Sequence, residues 1–87
     1  MARFSVALKT SARKELEALD DVLSERIITK LDELSDEPRP AGCKKLKGAQ
    51  DLWRIRVGEY RIVYAIDDKS HHIDITRIRH RRDVYER

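Results

Sequence analysis

Trp53-Arg54-Ile55-Arg56-Val57-Gly58-Glu59-Tyr60-Arg61-Ile62-Val63-Tyr64 is the stretch whose reading decides the fold. On both sides of Gly58-Glu59 the apolar side chains recur at every second position, the spacing of a half-buried β-strand. A two-residue connection with glycine first suits a type II′ hairpin turn, whose first central residue needs a positive φ. The strands then run from Leu52 to Val57 and from Tyr60 to Asp67. The turn sets their register: Val57 opposite Tyr60, Arg56 opposite Arg61, Ile55 opposite Ile62, Arg54 opposite Val63 and Trp53 opposite Tyr64. Trp53, Ile55, Val57, Tyr60, Ile62 and Tyr64 therefore share one face, which needs a covering layer, while Arg54, Arg56 and Arg61 lie on the other.

Upstream, Phe4, Val6 and Leu8 alternate with Ser5, Ala7 and Lys9 as a first strand. Thr10 or Ser11 is placed to cap a helix bearing Ala12, Leu16 and Leu19 on one face. Asp20-Asp21 supplies the cap of a second helix, with Leu23, Ile27, Leu31 and Leu34 on its apolar stripe. The short link makes the two an antiparallel hairpin, and Glu15, Glu17, Glu25, Asp32 and Glu33 are read as its solvated outer face. Pro38 and Pro40 end the second helix. Downstream, a further strand runs from about His72 to Ile78. Ile73 and Ile75 keep one parity that Ile78 breaks, so a bulge or strand end is predicted near residues 76–78. Residues 79–87 are read as one helical turn on the sheet edge. The predicted architecture is a single α+β domain over residues 1–87: an N-terminal strand and a helical hairpin on one face of a curved, mainly antiparallel four-stranded sheet, with a short C-terminal helical turn.

A chain of 87 residues holds one core, and with one helical layer the second sheet face stays open to solvent or a partner. Hydrophobic and charged residues each make up 40%, too apolar for a disordered chain and too polar for a membrane span. The start, Met1-Ala2-Arg3-Phe4-Ser5, lacks the apolar run of a signal peptide, and the lone Cys43 has no disulfide partner in the chain, so the expected location is the cytoplasm. The net charge of +3 is unevenly spread. Residues 1–40 hold seven Lys/Arg against nine Asp/Glu, whereas residues 41–87 hold twelve against seven. A polyanion is the partner that such a basic half suits.

Arg56 directly opposite Arg61 is destabilising by some tenths of a kcal/mol in an isolated sheet. Two readings fit it: a charged surface that discourages edge-to-edge aggregation, or a site where two guanidinium forks meet phosphate oxygens. Arg77, Arg79, His80, Arg81 and Arg82 extend the basic surface, and a run of this kind also suits nonspecific nucleic-acid binding. His71, His72 and His80 lack metal-ligand spacing to Cys43 or to a carboxylate pair. No glycine-rich phosphate loop and no Ser or Cys nucleophile with a nearby base is evident. No metal or other cofactor is expected, and catalysis falls to Arg, Lys, His or Tyr, a set that suits metal-free RNA cleavage.

Lys45-Leu46-Lys47-Gly48, the block from Trp53 to Tyr64, and His80-Arg81-Arg82-Asp83-Val84-Tyr85 together resemble the motif series of the RelE/ParE superfamily of bacterial toxins. The resemblance implies a ribosome-dependent, metal-independent endoribonuclease that cleaves mRNA on the 70S ribosome by 2′-hydroxyl attack on the adjacent phosphate. It also implies an acidic, partly disordered RelB-like antitoxin that wraps the toxin. Carried over by motif position, Arg61 stabilises charge on the reacting phosphate, Arg81 assists the phosphate or leaving group, and Tyr85 stacks on or deprotonates the substrate. Lys44, Lys45, Lys47, Arg54, Arg56, Arg79 and Arg82 are the implied RNA contacts. Arg54 and Arg56 stand where some relatives carry lysine, and arginine does not deprotonate, so the base is Tyr85 or His80. Two other functions share these features: a ParE-like inhibitor of DNA gyrase, and a noncatalytic RNA- or ribosome-binding module.

Overall fold

Alternation in four segments and helical periodicity in two produce an ordered set of elements in the computed structural model, which describes residues 3–46, 51–80 and 82. In chain order these are β1 (Ser5–Leu8), α1 (Thr10–Glu17), α2 (Asp21–Asp36), β2 (Lys44–Lys45), β3 (Leu52–Val57), β4 (Tyr60–Asp67) and β5 (His72–His80). The sheet has five strands in the order β1-β5-β4-β3-β2, all neighbours antiparallel except β1 and β5. The expected four-stranded sheet is thus one strand short. Gly42, at φ +92°, turns the chain so that Lys44 and Lys45 pair with Arg54 and Trp53. A two-residue strand carries no periodicity to read.

The hairpin has the register that its turn requires, from Leu52 opposite Ala65 to Val57 opposite Tyr60. Gly58 takes φ +60° and Glu59 does not take a positive φ, as a type II′ turn demands. Ile55, Val57, Ile62 and Tyr64 are buried, and Trp53 and Tyr60 pack against them at the margin of the core. Ile27, Leu31 and Leu34 of α2 and Ala12 of α1 cover this face, with Leu16, Leu19 and Leu23 partly buried around them. Burying each large aliphatic side chain contributes about 1.5–3 kcal/mol, so this single layer carries most of the stability.

Helix boundaries follow from local chemistry. Asp20 Oδ1 accepts the Leu23 N–H at 2.8 Å, capping α2 as expected. At the other end Pro38 forces Glu37 out of the helical region, to φ −138° and ψ 86°. The cap of α1 is a correction: Lys9, not Thr10 or Ser11, occupies the N-cap position, with no side-chain cap bond. Lys9 N–H donates to Ile75 O, so β1 pairing persists to the residue at which the helix begins.

The bulge falls at Thr76, where Tyr64 pairs with Ile75 but Val63 pairs with Arg77. Thr76 Oγ1 donates to Val63 O at 3.0 Å, and Ile78 returns to the core beside Ile73 and Ile75. The strand continues past the break to His80, so Arg79 and His80 belong to β5 and not to a helical turn. The remainder of the expected C-terminal turn lies outside the described residues, apart from Arg82. No helix among the described residues is long and apolar enough to cross a membrane.

Candidate nucleic-acid interface

The uncovered face of the sheet collects cations because of register. Cross-strand partners share a face. Arg56 pairs with Arg61, and Arg61 with Arg79, making one row of three arginines across β3, β4 and β5. One step along, Lys44 pairs with Arg54, Arg54 with Val63 and Val63 with Arg77, making a second row across four strands. Six cations therefore stand in two adjacent rows, brought together from segments more than thirty residues apart in sequence. Without the bulge at Thr76, Arg77 and Arg79 would point into the core.

Within these rows, Gly42, Lys44, Arg54, Ile55, Arg56 and Arg61 line a cleft of ≈ 240 Å³. Arg56 is exposed and its Nε donates to Gly58 O at 3.3 Å, which draws its guanidinium toward the turn. Arg54 and Arg61 are half-buried. A cleft lined by three arginines and a lysine is chemically suited to a phosphodiester, since arginine offers planar pairs of donors and stays charged.

Not every residue singled out in the sequence joins this face. Lys45 pairs with Trp53, on the helix side of the sheet. His80 pairs with Tyr60, also on that side, and the two rings meet edge to face at 5.2 Å. His80 Nδ1 accepts the Arg82 N–H at 3.1 Å, so the neutral ring keeps its proton on Nε2. Lys47, Arg81 and Tyr85 lie outside the described residues. Among the described residues no group of three or more His, Cys, Asp or Glu converges as a metal cradle.

One residue central to the site was read differently from the sequence. Glu15, assigned there to a solvated helix face, reaches the edge of β5. Its Oε1 accepts the Ile78 N–H at 2.7 Å, and its Oε2 stands 3.1 Å from Arg77 Nη2 and 3.6 Å from Arg79 Nε. The signal was present: Glu15 is i+3 from Ala12 and i−4 from Leu19, so it borders the apolar stripe and does not oppose it.

At its far end the open face changes character. Ser5 Oγ lies 2.7 Å from His72 Nδ1, and His72 Nε2 lies 2.9 Å from Asp74 Oδ1, a polar chain that ties β1 to β5. Asp67 accepts the N–H groups of Ser70 and Lys69 in the following turn, and these bonds hold its carboxyl below the usual range. Behind the sheet, Arg39 clamps Asp68 through two bonds of 3.2 and 2.9 Å and lies 4.9 Å from the centre of the Trp53 ring. That clamp anchors the loop leading to Lys44 against the β4–β5 turn.

Comparison with known proteins matches this arrangement to one group. Residues 6–85 match the family model described as ParE toxin of type II toxin-antitoxin system, parDE. The chain is 32% identical over 85 residues to Toxin RelG of Mycobacterium tuberculosis, covering 97% of this chain and 98% of that one. Its fold is similar to RelE in the archaeal RelE–RelB complex of Pyrococcus horikoshii OT3, with a TM-score of 0.81, 30% identity and coverage of 91% and 96%. It is also similar to the isolated E. coli RelE toxin, at a TM-score of 0.77, 25% identity and coverage of 88% and 83%.

Proposed function

The chain belongs to the RelE/ParE superfamily of type II toxin–antitoxin toxins, and from that premise we propose that it is a ribosome-dependent, metal-independent endoribonuclease acting on mRNA. The observation that carries the reading is the pair of cation rows on the open face, with Arg61 at the junction of β3, β4 and β5. Such a surface recognises a phosphate backbone and stabilises the extra negative charge of a pentacoordinate phosphorane.

In the proposed reaction the 2′-oxygen of one nucleotide bonds to the adjacent phosphorus, and the bond from phosphorus to the 5′-oxygen breaks. A 2′,3′-cyclic phosphate and a 5′-hydroxyl result. Arg61 carries the developing charge, Arg54, Arg56 and Lys44 hold neighbouring phosphates, Arg81 serves the phosphate or leaving group as a cation, and the departing 5′-oxygen takes its proton from solvent. Tyr85 takes the proton from the 2′-hydroxyl, a role that requires nearby cations to draw its phenol down from roughly 10. His80 fits that role less well: its strand partner is Tyr60 on the opposite face, and its Nδ1 lone pair is occupied.

The regulator in this reading is an acidic RelB-like antitoxin; the structure of the archaeal relative is a RelE–RelB complex. A net charge of +3, concentrated in the C-terminal half, suits an acidic wrapper. The ParE name of the matching family model favours a second reading, inhibition of DNA gyrase. One experiment separates them: wild-type protein is added to defined mRNA on translating ribosomes, to the same RNA naked with EDTA, and to a gyrase supercoiling reaction. Cleavage confined to ribosome-bound mRNA supports the nuclease. Intact mRNA with arrested supercoiling supports the gyrase inhibitor.

A further inference from the structure

We propose that Glu15 is a positioning residue for the phosphate-binding arginines, a carboxylate from α1 that fixes Arg77 and Arg79 along one wall of the site; the inference rests on the RNA-cleavage reading. Its basis is the way the sheet edge is finished. β1 ends at Leu8, opposite Ile75, so among the described residues no strand lies beside the outer edge of β5 beyond the bulge. α1 runs along that edge, and Glu15 supplies the acceptor that a neighbouring strand would have offered to Ile78 N–H. With its second oxygen it meets both flanking guanidinium groups.

The Glu15 side chain is only 24% exposed, so the contact is partly shielded from water and salt. Glu15 meets Arg79 at its Nε, on the side of the guanidinium nearest the stem, and Arg79 stands directly across from Arg61. Six like charges in two rows repel one another, and without an anion at the edge the side chains of Arg77 and Arg79 would spread into solvent. Glu15 removes that repulsion where the substrate is not bound and leaves the Arg54–Arg56–Arg61 cleft cationic. Capping the Ile78 N–H alone would not require a charge, because a glutamine amide oxygen accepts equally well.

Glu15→Gln separates the two roles, and Glu15→Ala serves as the variant that loses both. For Glu15→Gln the expected melting temperature stays close to wild type, while 15Nε relaxation of Arg77 and Arg79 shows the side chains becoming mobile. RNA binding holds or tightens, with a steeper dependence on salt because two cations are released. The kcat for ribosome-bound mRNA falls about tenfold, the lower end of the loss seen when a residue that orients metal-binding side chains is removed. Unchanged Nε relaxation in Glu15→Gln would overturn the proposal. So would a rise in both affinity and kcat, which marks Glu15 as an electrostatic brake, or a loss of kcat only in proportion to lost folded protein. Should the wild type cleave nothing, the nuclease reading fails by itself, and the relaxation data still decide whether Glu15 fixes the two arginines.

Discussion

Tyr64 combines complete burial with a polar tip, and its hydroxyl donates to Pro38 O at 2.7 Å. The helix-ending proline thus frees a carbonyl that the central strand then uses. Burial pushes the phenol above its ordinary value, and the Cys43 sulfur beside it adds to the rise while Arg39 opposes it. Because the folded-state value is raised above the unfolded value of roughly 10, the contribution is fully present below pH 10 and declines as pH rises further. Tyr64→Phe is expected to lower stability at pH 7 by about 1–2 kcal/mol, since Pro38 loses its donor. Between pH 10 and 11 the gap to wild type should narrow by up to about 1.4 kcal/mol, as urea unfolding at each pH will measure. At this scale the sequence was only partly legible. Alternation identified Arg54, Arg56 and Arg61 as neighbours, because register follows from a two-residue turn. It could not assign Glu15, whose partners are sixty residues downstream and meet it only once the sheet edge is built.

Among the elements, β5 shows how a bulge absorbs one inserted residue and keeps the cations on one face. Ile73, Ile75 and Ile78 cannot share a face in an unbroken strand, and Thr76 resolves the conflict by bulging and bonding its own hydroxyl to Val63 O. Thr76→Val is expected to cost about 1 kcal/mol in urea unfolding by leaving that carbonyl without its donor. Deleting Thr76 would remove the inserted residue and leave plain alternation, with Ile75 and Ile78 toward the helices and Arg77 and Arg79 on the open face, so cooperative unfolding should persist in thermal circular dichroism. A deletion variant that loses cooperative unfolding would contradict the assignment. The parity break was visible in the sequence because three isoleucines report it. By contrast, β2 was not visible, since two lysines carry no pattern and their pairing depends on the turn at Gly42.

Across the whole molecule, charge is sorted by the sheet. One end of the open face carries the cation rows, and the other carries Asp74 and Asp67 around the Ser5–His72 link. The composition revealed a basic half, but only the topology converts it into a patch, because β2 through β5 are adjacent and α1 closes the last edge. Binding to single-stranded RNA through Lys44, Arg54, Arg56 and Arg61 is expected to weaken with salt at a log–log slope of about −3. Filter binding at several salt concentrations measures it, and a slope near zero would remove the phosphate-backbone reading. The proposed nuclease depends most on Arg61 stabilising charge on a phosphate being cleaved. Its most direct test is the single-turnover rate of mRNA cleavage on translating ribosomes for wild type and a folded Arg61→Ala variant. A rate at least about a hundredfold lower is expected for Arg61→Ala, the scale on which a single charge-stabilising donor acts; equal rates for the two proteins would rule out that role for Arg61.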